Sequence, residues 1–378
     1  MKQILPILLI LALLSGCTGS PTSDPAAGRR PSSPVEYGIP VSPADSAVPF
    51  TSRFTSETVI TLSDSGIVIS GENADTVHLT NDIIYYEDRT VYDSGNPYGE
   101  GTDADKHTAD EAAAHTVVNI TKPGAYRIDG KLSSGQIRID LGEDAYENPD
   151  AVVELILHNA DIPCTVAPAI LFLNTYECDG SWSTEAAKPD VDTSAAGANI
   201  ILAEGSTNTV HGAYVARIYK PETVVLNEEG TEVEDAKKLH KYDGAVYSKM
   251  TMNVGGEGSL DIFAENEGLD TELHLTINGG NIHIFSGNDG INTNEDGVSV
   301  TTINGGSVNI TVTGTTGEGD GIDSNGWLVI NGGAVTAQAC ANSADAGIDS
   351  DMGIHINGGT VCASGHMLDR IEEGGQTY

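Results

Sequence analysis

The sequence predicts an all-β fold, a parallel β-helix built of stacked three-stranded coils, and three observations carry that expectation. The tetrapeptide Ile-Asn-Gly-Gly begins at Ile277, Ile303, Ile330 and Ile356. The intervals are 26, 27 and 26 residues, a period that marks repeat architectures. Between the copies lie short alternating runs such as Ser307-Val308-Asn309-Ile310-Thr311-Val312, and no stretch inside the repeats has helical periodicity. The leucine-rich LxxLxL pattern and the nine-residue Gly-rich calcium repeat are both missing.

Composition agrees with this reading. The chain has 378 residues, 44 of them glycine and only 5% aromatic, which suits many tight turns around an aliphatic core. Its 55 acidic residues against 18 basic leave a formal net charge of −37. That balance argues against nucleic acid, because phosphate binding needs clustered Lys and Arg. It suits a soluble surface or a protein that collects divalent cations. A hydrophobic content of 39% with regular alternation disfavours disorder.

Taken in order, the chain opens with Lys2 and the apolar run Ile4 to Leu14, too short to span a bilayer and typical of a secretory signal. The following Leu14-Ser15-Gly16-Cys17 resembles a bacterial lipobox. It implies removal of residues 1–16, lipidation of Cys17, and an extracytoplasmic protein anchored in the bacterial cell membrane and exposed at the surface. Residues 17–52 then form the lipidated cysteine and a flexible linker rich in Ser, Pro, Ala and Gly. Residues 53–378 are expected to form one β-helix domain, a monomer.

Within that domain, Thr58–Leu62, Gly66–Ile69, Val117–Ile120, Gln136–Ile139, Val153–Leu157, Ala169–Leu173 and Asn199–Leu202 read as strands of earlier coils. Long loops interrupt them at about Glu87 to Ala114, Asp179 to Ala196 and Arg217 to Lys241. Cys164, Cys178, Cys340 and Cys362 can pair in three ways outside the cytoplasm, and Cys164 with Cys178 is the first pairing to test. Their spacing fits no zinc motif, and the ten histidines are scattered.

A second motif interleaves with the first: Asp243-Gly-Ala-Val-Tyr-Ser, Glu267-Gly-Leu-Asp-Thr-Glu, Asp289-Gly-Ile-Asn-Thr-Asn, Asp320-Gly-Ile-Asp-Ser-Asn and Ala346-Gly-Ile-Asp-Ser-Asp. Alternation points Leu269, Ile291, Ile322 and Ile348 inward, together with a hydroxyl ladder of Ser248, Thr271, Thr293, Ser324 and Ser350. Two rows point outward: Tyr247, Asp270, Asn292, Asp323, Asp349, and Lys249, Glu272, Asn294, Asn325, Asp351. The Asn of each Ile-Asn-Gly-Gly falls at one corner, where stacked amides bond one another and Asn tolerates a left-handed backbone.

Stacked coils lie about 4.8 Å apart. Two bare carboxylates at that distance repel by roughly 1 kcal/mol in water and several at a protein surface. A calcium ion takes oxygens at about 2.3–2.6 Å, so two oxygens either side of one ion match the coil spacing. A solvated polar face needs no ion; recurrence in register is what points to Ca2+. The candidate ligands are Asp270, Glu272, Asp289, Asn292, Asn294, Asp320, Asp323, Asn325, Asp349 and Asp351.

Gly124–Asp140 (GAYRIDGKLSSGQIRID), Ile201–Val210 (ILAEGSTNTV), Asp243–Lys249 and the two repeated motifs resemble a bacterial carbohydrate-binding domain family first described in cellulolytic clostridia. The resemblance covers about Thr58 to Tyr378. It implies a secreted right-handed, single-stranded parallel β-helix, similar in fold to pectate lyases, that binds calcium and plant cell-wall polysaccharide, notably polygalacturonate and cellulose. The loops at 179–196 and 217–241 look like insertions against that pattern, and Glu372 to Tyr378 is a single strand of a further coil. The leading expectation is calcium-dependent binding of pectin or a cellulose-like glycan at the cell surface, without catalysis. One alternative is a calcium-dependent pectate lyase with Lys249 as its base; another is a surface adhesin or spacer with structural calcium only.

Overall fold

The computed structural model describes residues 52–86, 101, 104–180, 182–219, 223, 225–227, 230, 233–235 and 238–366. Residues 1–16, Cys17, the linker up to residue 51, and Glu372 to Tyr378 lie outside them. The fold is nearly all-β with long parallel sheets. Among the described residues the α-helix is limited to Ala109–Ala113, inside the first expected loop.

Each repeat of the C-terminal half sends strands into three parallel ladders. The first ladder stacks Met252–Gly256, Leu275–Ile277, Val300–Ile303, Trp327–Ile330 and Gly353–Ile356. The second stacks Ser259–Ala264, Asn281–Ser286, Ser307–Val312, Ala334–Gln338 and Thr360–Ser364. The third stacks Gly244–Ser248, Glu267–Thr271, Ile291–Thr293 and Ile322–Ser324, and a bridge from Ile322 to Ile348 extends it. Ile277 pairs with Ile303 and Ile303 with Ile330, so each repeat sets its isoleucine beside the last. These side chains, with Leu260, Ile282, Val308, Leu269, Ile291 and Ile322, are buried in one continuous core. Burial of each such side chain stabilises by roughly 1.5–3 kcal/mol.

Upstream, Val153–Cys164 joins the first two ladders. Residues 153–157 pair with Ala198–Leu202, and residues 161–164 pair with part of Thr207–Gly212. The expected strand Val153–Leu157 is therefore longer than its apolar run. Asn159 makes the bend; its φ of 57° is left-handed, which a short polar side chain tolerates. Its Oδ1 accepts from the Thr207 N–H at 3.2 Å.

Two expectations about local geometry are corrected. Val68–Ser70 is not a parallel coil: it pairs antiparallel with Glu57–Leu62, since so short a connection cannot make a parallel crossover. The corner asparagines do stack, with Asn304, Asn331 and Asn357 each donating Nδ2–H to the preceding asparagine's Oδ1 at 2.8 Å. They do not hold the left-handed position. The last glycine of each motif does, with φ of 94°, 83°, 80° and 81° at Gly280, Gly306, Gly333 and Gly359.

The expected loops carry structure. Ala187 and Val191 cover Val300, Trp327 and Val329, apolar side chains of the first ladder outside the main core. Thr193 ties the same segment down by donating its hydroxyl to Thr276 Oγ1 at 2.8 Å. The segment expected as a loop from Arg217 to Lys241 contains antiparallel pairs, Val215–Tyr219 with Lys238–Tyr242 and Val225–Leu226 with Val233–Asp235. All four described cysteines are free, Cys164 and Cys178 included. The strand Ile170–Asn174 runs between those two, and Cys164 is buried in the main core while Cys178 is half-buried outside it.

Glycine substitution separates conformation from space. Gly317 has a φ of 93° and nothing within 4 Å of an added Cβ, whereas at Gly306 (φ 83°) that atom would lie 2.5 Å from the Gly280 carbonyl oxygen. Gly317→Ala is expected to cost about 1–2 kcal/mol for the left-handed backbone. Gly306→Ala is expected to cost at least ~1 kcal/mol more, through overpacking between repeats. Denaturant midpoints of the two variants check the order.

Candidate functional site

The third ladder builds the site. Leu269, Ile291 and Ile322 align toward the core, and one residue on, Tyr247, Asp270, Asn292 and Asp323 align on the opposite side. The Asp349 N–H donates to Ile322 O at 2.7 Å and the Asp351 N–H to Ser324 O at 3.0 Å, so the rows continue in step. Behind them the hydroxyls are buried; Thr293 and Ser324 bond each other at 3.0 Å, and Ser350 donates to Gly326 O at 2.7 Å.

The glycine at the second position of each motif is required for space. A Cβ on Gly268 would lie 2.4 Å from Ile284 Cγ2, and on Gly290 2.2 Å from Ile310 Cγ2. The residue before that glycine forms a further column: Asp243, Glu267, Asp289, Asp320 and Ala346. Asp289 and Asp320 brace the next repeat from there. Asp289 Oδ1 accepts the Asp320 N–H at 2.7 Å, and Asp320 Oδ1 accepts the Ala346 N–H at 2.5 Å.

The outward rows are solvated only in part. Asp270 is 0% exposed, Asn292 6% and Asn294 8%, as is Asp289 in the neighbouring column, whereas Glu272, Asp323, Asn325 and Asp349 are half-buried and Lys249 and Asp351 are exposed. Alternation assigns direction only; here the Lys238–Tyr242 strand and its neighbours supply cover. The Tyr242 and Tyr247 rings meet at 5.1 Å between centroids. What remains open is a cleft of about 520 Å³. Of the expected ligands, Glu272, Asp289, Asn292, Asn294, Asp323 and Asn325 line it, while Asp270, Asp320, Asp349 and Asp351 lie outside its lining. Asp320, Asp323 and Asp349 are nevertheless gathered, each with an oxygen within 4.8 Å of the others.

Sequence reasoning missed four charged residues that line the cleft: Glu267, Glu295, Asp296 and Lys241. Glu267 was legible, since it stands in the same column as Asp289 and Asp320. Lys241 had no signal, because it enters from an insertion outside the repeat. Lys249, the candidate base of the alternative lyase reading, is exposed and is not part of the cleft lining.

Hydrogen bonds orient the polar side chains. Asn292 Nδ2–H donates to Glu267 Oε1 at 3.1 Å, Asn294 Nδ2–H to Asp270 Oδ1 at 2.5 Å, and Tyr247 O–H to Glu272 Oε1 at 2.9 Å. Asp270 Oδ2 and Asn292 Oδ1 are buried with no hydrogen-bond partner. Burial, then the Glu267, Asp243 and Glu272 charges, pushes the Asp270 carboxyl far up. Burial, then Glu267 and Asp323, does the same to Asp289. Burial pushes Asp320 up to about 8, with Asp323 and Asp349 adding to it against the Ala346 N–H. Burial and then the Asp349 and Asp351 charges push Asp323 up to about 7.

Calcium fits these residues on three counts. The donors are all oxygen, those of Asp320, Asp323 and Asp349 lie within 4.8 Å of one another as ligands around one ion would, and orphaned buried oxygens lie in the neighbouring rows. Without a cation, this many adjacent carboxylates ionise only against one another and against burial.

The fold and site together define a nearly all-β protein with an acidic, oxygen-lined cleft. Residues 114–367 match the family described as carbohydrate-binding domain-containing protein, and the chain belongs to that family. A carbohydrate-binding domain-containing protein of Acetivibrio thermocellus is 29% identical over 187 residues, 48% of this chain and 51% of the relative. The matched region thus spans about half the length of that curated relative. The structure of a polysaccharide lyase-like protein from C. thermocellum, a gadolinium derivative, is similar at 20% identity and a TM-score of 0.44, covering 82% of this chain and 94% of that one.

The carboxyl shifts set a pH dependence. Unfolded aspartates titrate near ~3.9. With Asp323 at about 7 and Asp320 at about 8, the folded chain holds more protons than the unfolded one between those limits. Stability in chelator is therefore expected to be greatest below pH ~4 as far as these groups decide it, and to fall as pH rises toward about 8. Thermal melts of the wild type and Asp323→Asn check this: the variant is expected to lose part of the slope.

Proposed function

We propose that this protein binds acidic plant cell-wall polysaccharide of the polygalacturonate type through calcium, without catalysis. The observation that carries the reading is the gathered trio Asp320, Asp323 and Asp349 beside an oxygen-lined cleft, in a chain of a carbohydrate-binding family. A chain of net charge −37 repels a polyuronate, and a cation held by one or two protein carboxylates removes that repulsion while keeping open positions for a uronate oxygen. Asp320, Asp323 and Asp349 would hold the ion, with Asp289 and Asn292 on the cleft side. Calcium would supply the positive charge that bridges protein and glycan carboxylates.

The finer architecture belongs to the same reading: the three parallel ladders support a right-handed parallel β-helix. The lipobox at Leu14–Cys17 supports a lipid-anchored monomer displayed at the bacterial surface, with the linker up to residue 52 as its tether.

Retention on polygalacturonate gel is expected in calcium and lost in chelator. Asp323→Asn combined with Asp349→Asn is expected to weaken it tenfold or more, about 1.4 kcal/mol. Equal retention of the wild type with and without chelator would sink the bridging mechanism.

A further inference from the structure

Lys241 is the one cationic side chain in the described lining of the cleft, where it faces Glu267, Glu272, Asp289, Glu295, Asp296 and Asp323. Its backbone is fixed beside the ladder by the antiparallel pairing of Lys238–Tyr242 with Val215–Tyr219. Its Nζ donates to Asn294 Oδ1. The Asn294 amide nitrogen is committed on the other side, to Asp270 Oδ1 at 2.5 Å and Thr271 O at 3.2 Å. The Asn294 carbonyl is thereby aimed into the cleft, where it meets an ammonium. The same charge also bears on Asp270, Glu295 and Asp323, lowering each against the other influences on it. Close by, Asp270 Oδ2, wholly buried, and Asn292 Oδ1, 6% exposed, have no hydrogen-bond partner. The ammonium therefore satisfies one oxygen of a set that a cation of higher charge would satisfy more fully.

We propose that Lys241 is a tethered counter-cation: it occupies the Asn294 end of the cleft in the ion-free protein and withdraws when a divalent cation binds. This deepens the calcium reading above and rests on it. An ammonium on a flexible four-carbon stem is suited to the task, because it makes and breaks such contacts without moving the backbone. While it is seated, only the fraction of molecules with Lys241 withdrawn can take an ion there, so the apparent dissociation constant rises by the inverse of that fraction. The insertion thereby raises the calcium concentration needed to fill that end of the cleft.

The test is calcium titration calorimetry on chelator-stripped wild type, K241M, K241Q and K241R. K241M and K241Q are expected to bind calcium roughly tenfold tighter than the wild type, or to take up an additional ion, with K241R following the wild type. A second readout needs no variant: acetylation of the Lys241 amine, followed by mass spectrometry, is expected to be faster in calcium than in chelator. Unchanged ion binding in both neutral variants overturns the proposal and leaves the calcium reading standing. So does unchanged or slower acetylation in calcium. If the neutral variants keep wild-type ion affinity but lose polygalacturonate in saturating calcium, Lys241 is instead a direct glycan contact, and the proposal falls. If no chain binds calcium, the calcium reading fails and this inference fails with it.

Discussion

Everything in this molecule follows from stacking equivalent residues one strand apart. In the first ladder Ile277, Ile303 and Ile330 lie side by side, and the asparagines that follow them form a chain of amide hydrogen bonds. For apolar, amide and hydroxyl side chains, self-stacking is favourable, and repetition extends the core with each turn. For carboxylates the same spacing is repulsive. The third ladder places Asp323 in line with Asn292 and Asp270, and Asp349 one step beyond, so the rule that stabilises the core concentrates charge on the side facing away from it.

The molecule answers that concentration in several ways. Asparagines interrupt the acids along the rows, and amide groups donate into the carboxylates, as Asn294 does to Asp270 and Asn292 to Glu267. Asp289 and Asp320 are partly neutralised by backbone N–H groups of the following repeat. Burial works the other way and pushes the carboxyls toward their protonated forms. The insertion adds Lys241. A bound cation would replace several of these partial remedies with one charge at the centre of the oxygens, which is why the site reads as cation-binding and not only as polar surface.

Much of this was legible. The repeat period, the β character, the inward isoleucines, the hydroxyl ladder and the alignment of Asp270 with Asn292 and Asp323 all follow from spacing, because in a parallel ladder neighbours in space are equivalents in sequence. Glu267 is equally readable, since it stands one copy earlier in the column of Asp289 and Asp320. The left-handed corner falls on the glycine two residues after the asparagine; period and composition locate the corner but not which residue turns.

The sequence by itself determined what repeats: strand type, register, the aliphatic core and the direction of each polar row, all set by interactions across about 4.8 Å. Only the tertiary structure decided what covers those rows. Lys241 against Asn294 joins residues far apart in the chain with no period relating them, and Ala187 and Val191 do the same over Trp327 on the first ladder; Tyr242, on the strand that carries Lys241, meets Tyr247 of the third ladder. Whether a carboxylate is solvated, buried or neutralised depends on such contacts. The same sequence pattern therefore says where the acids point, and the insertions decide how strongly they call for a cation.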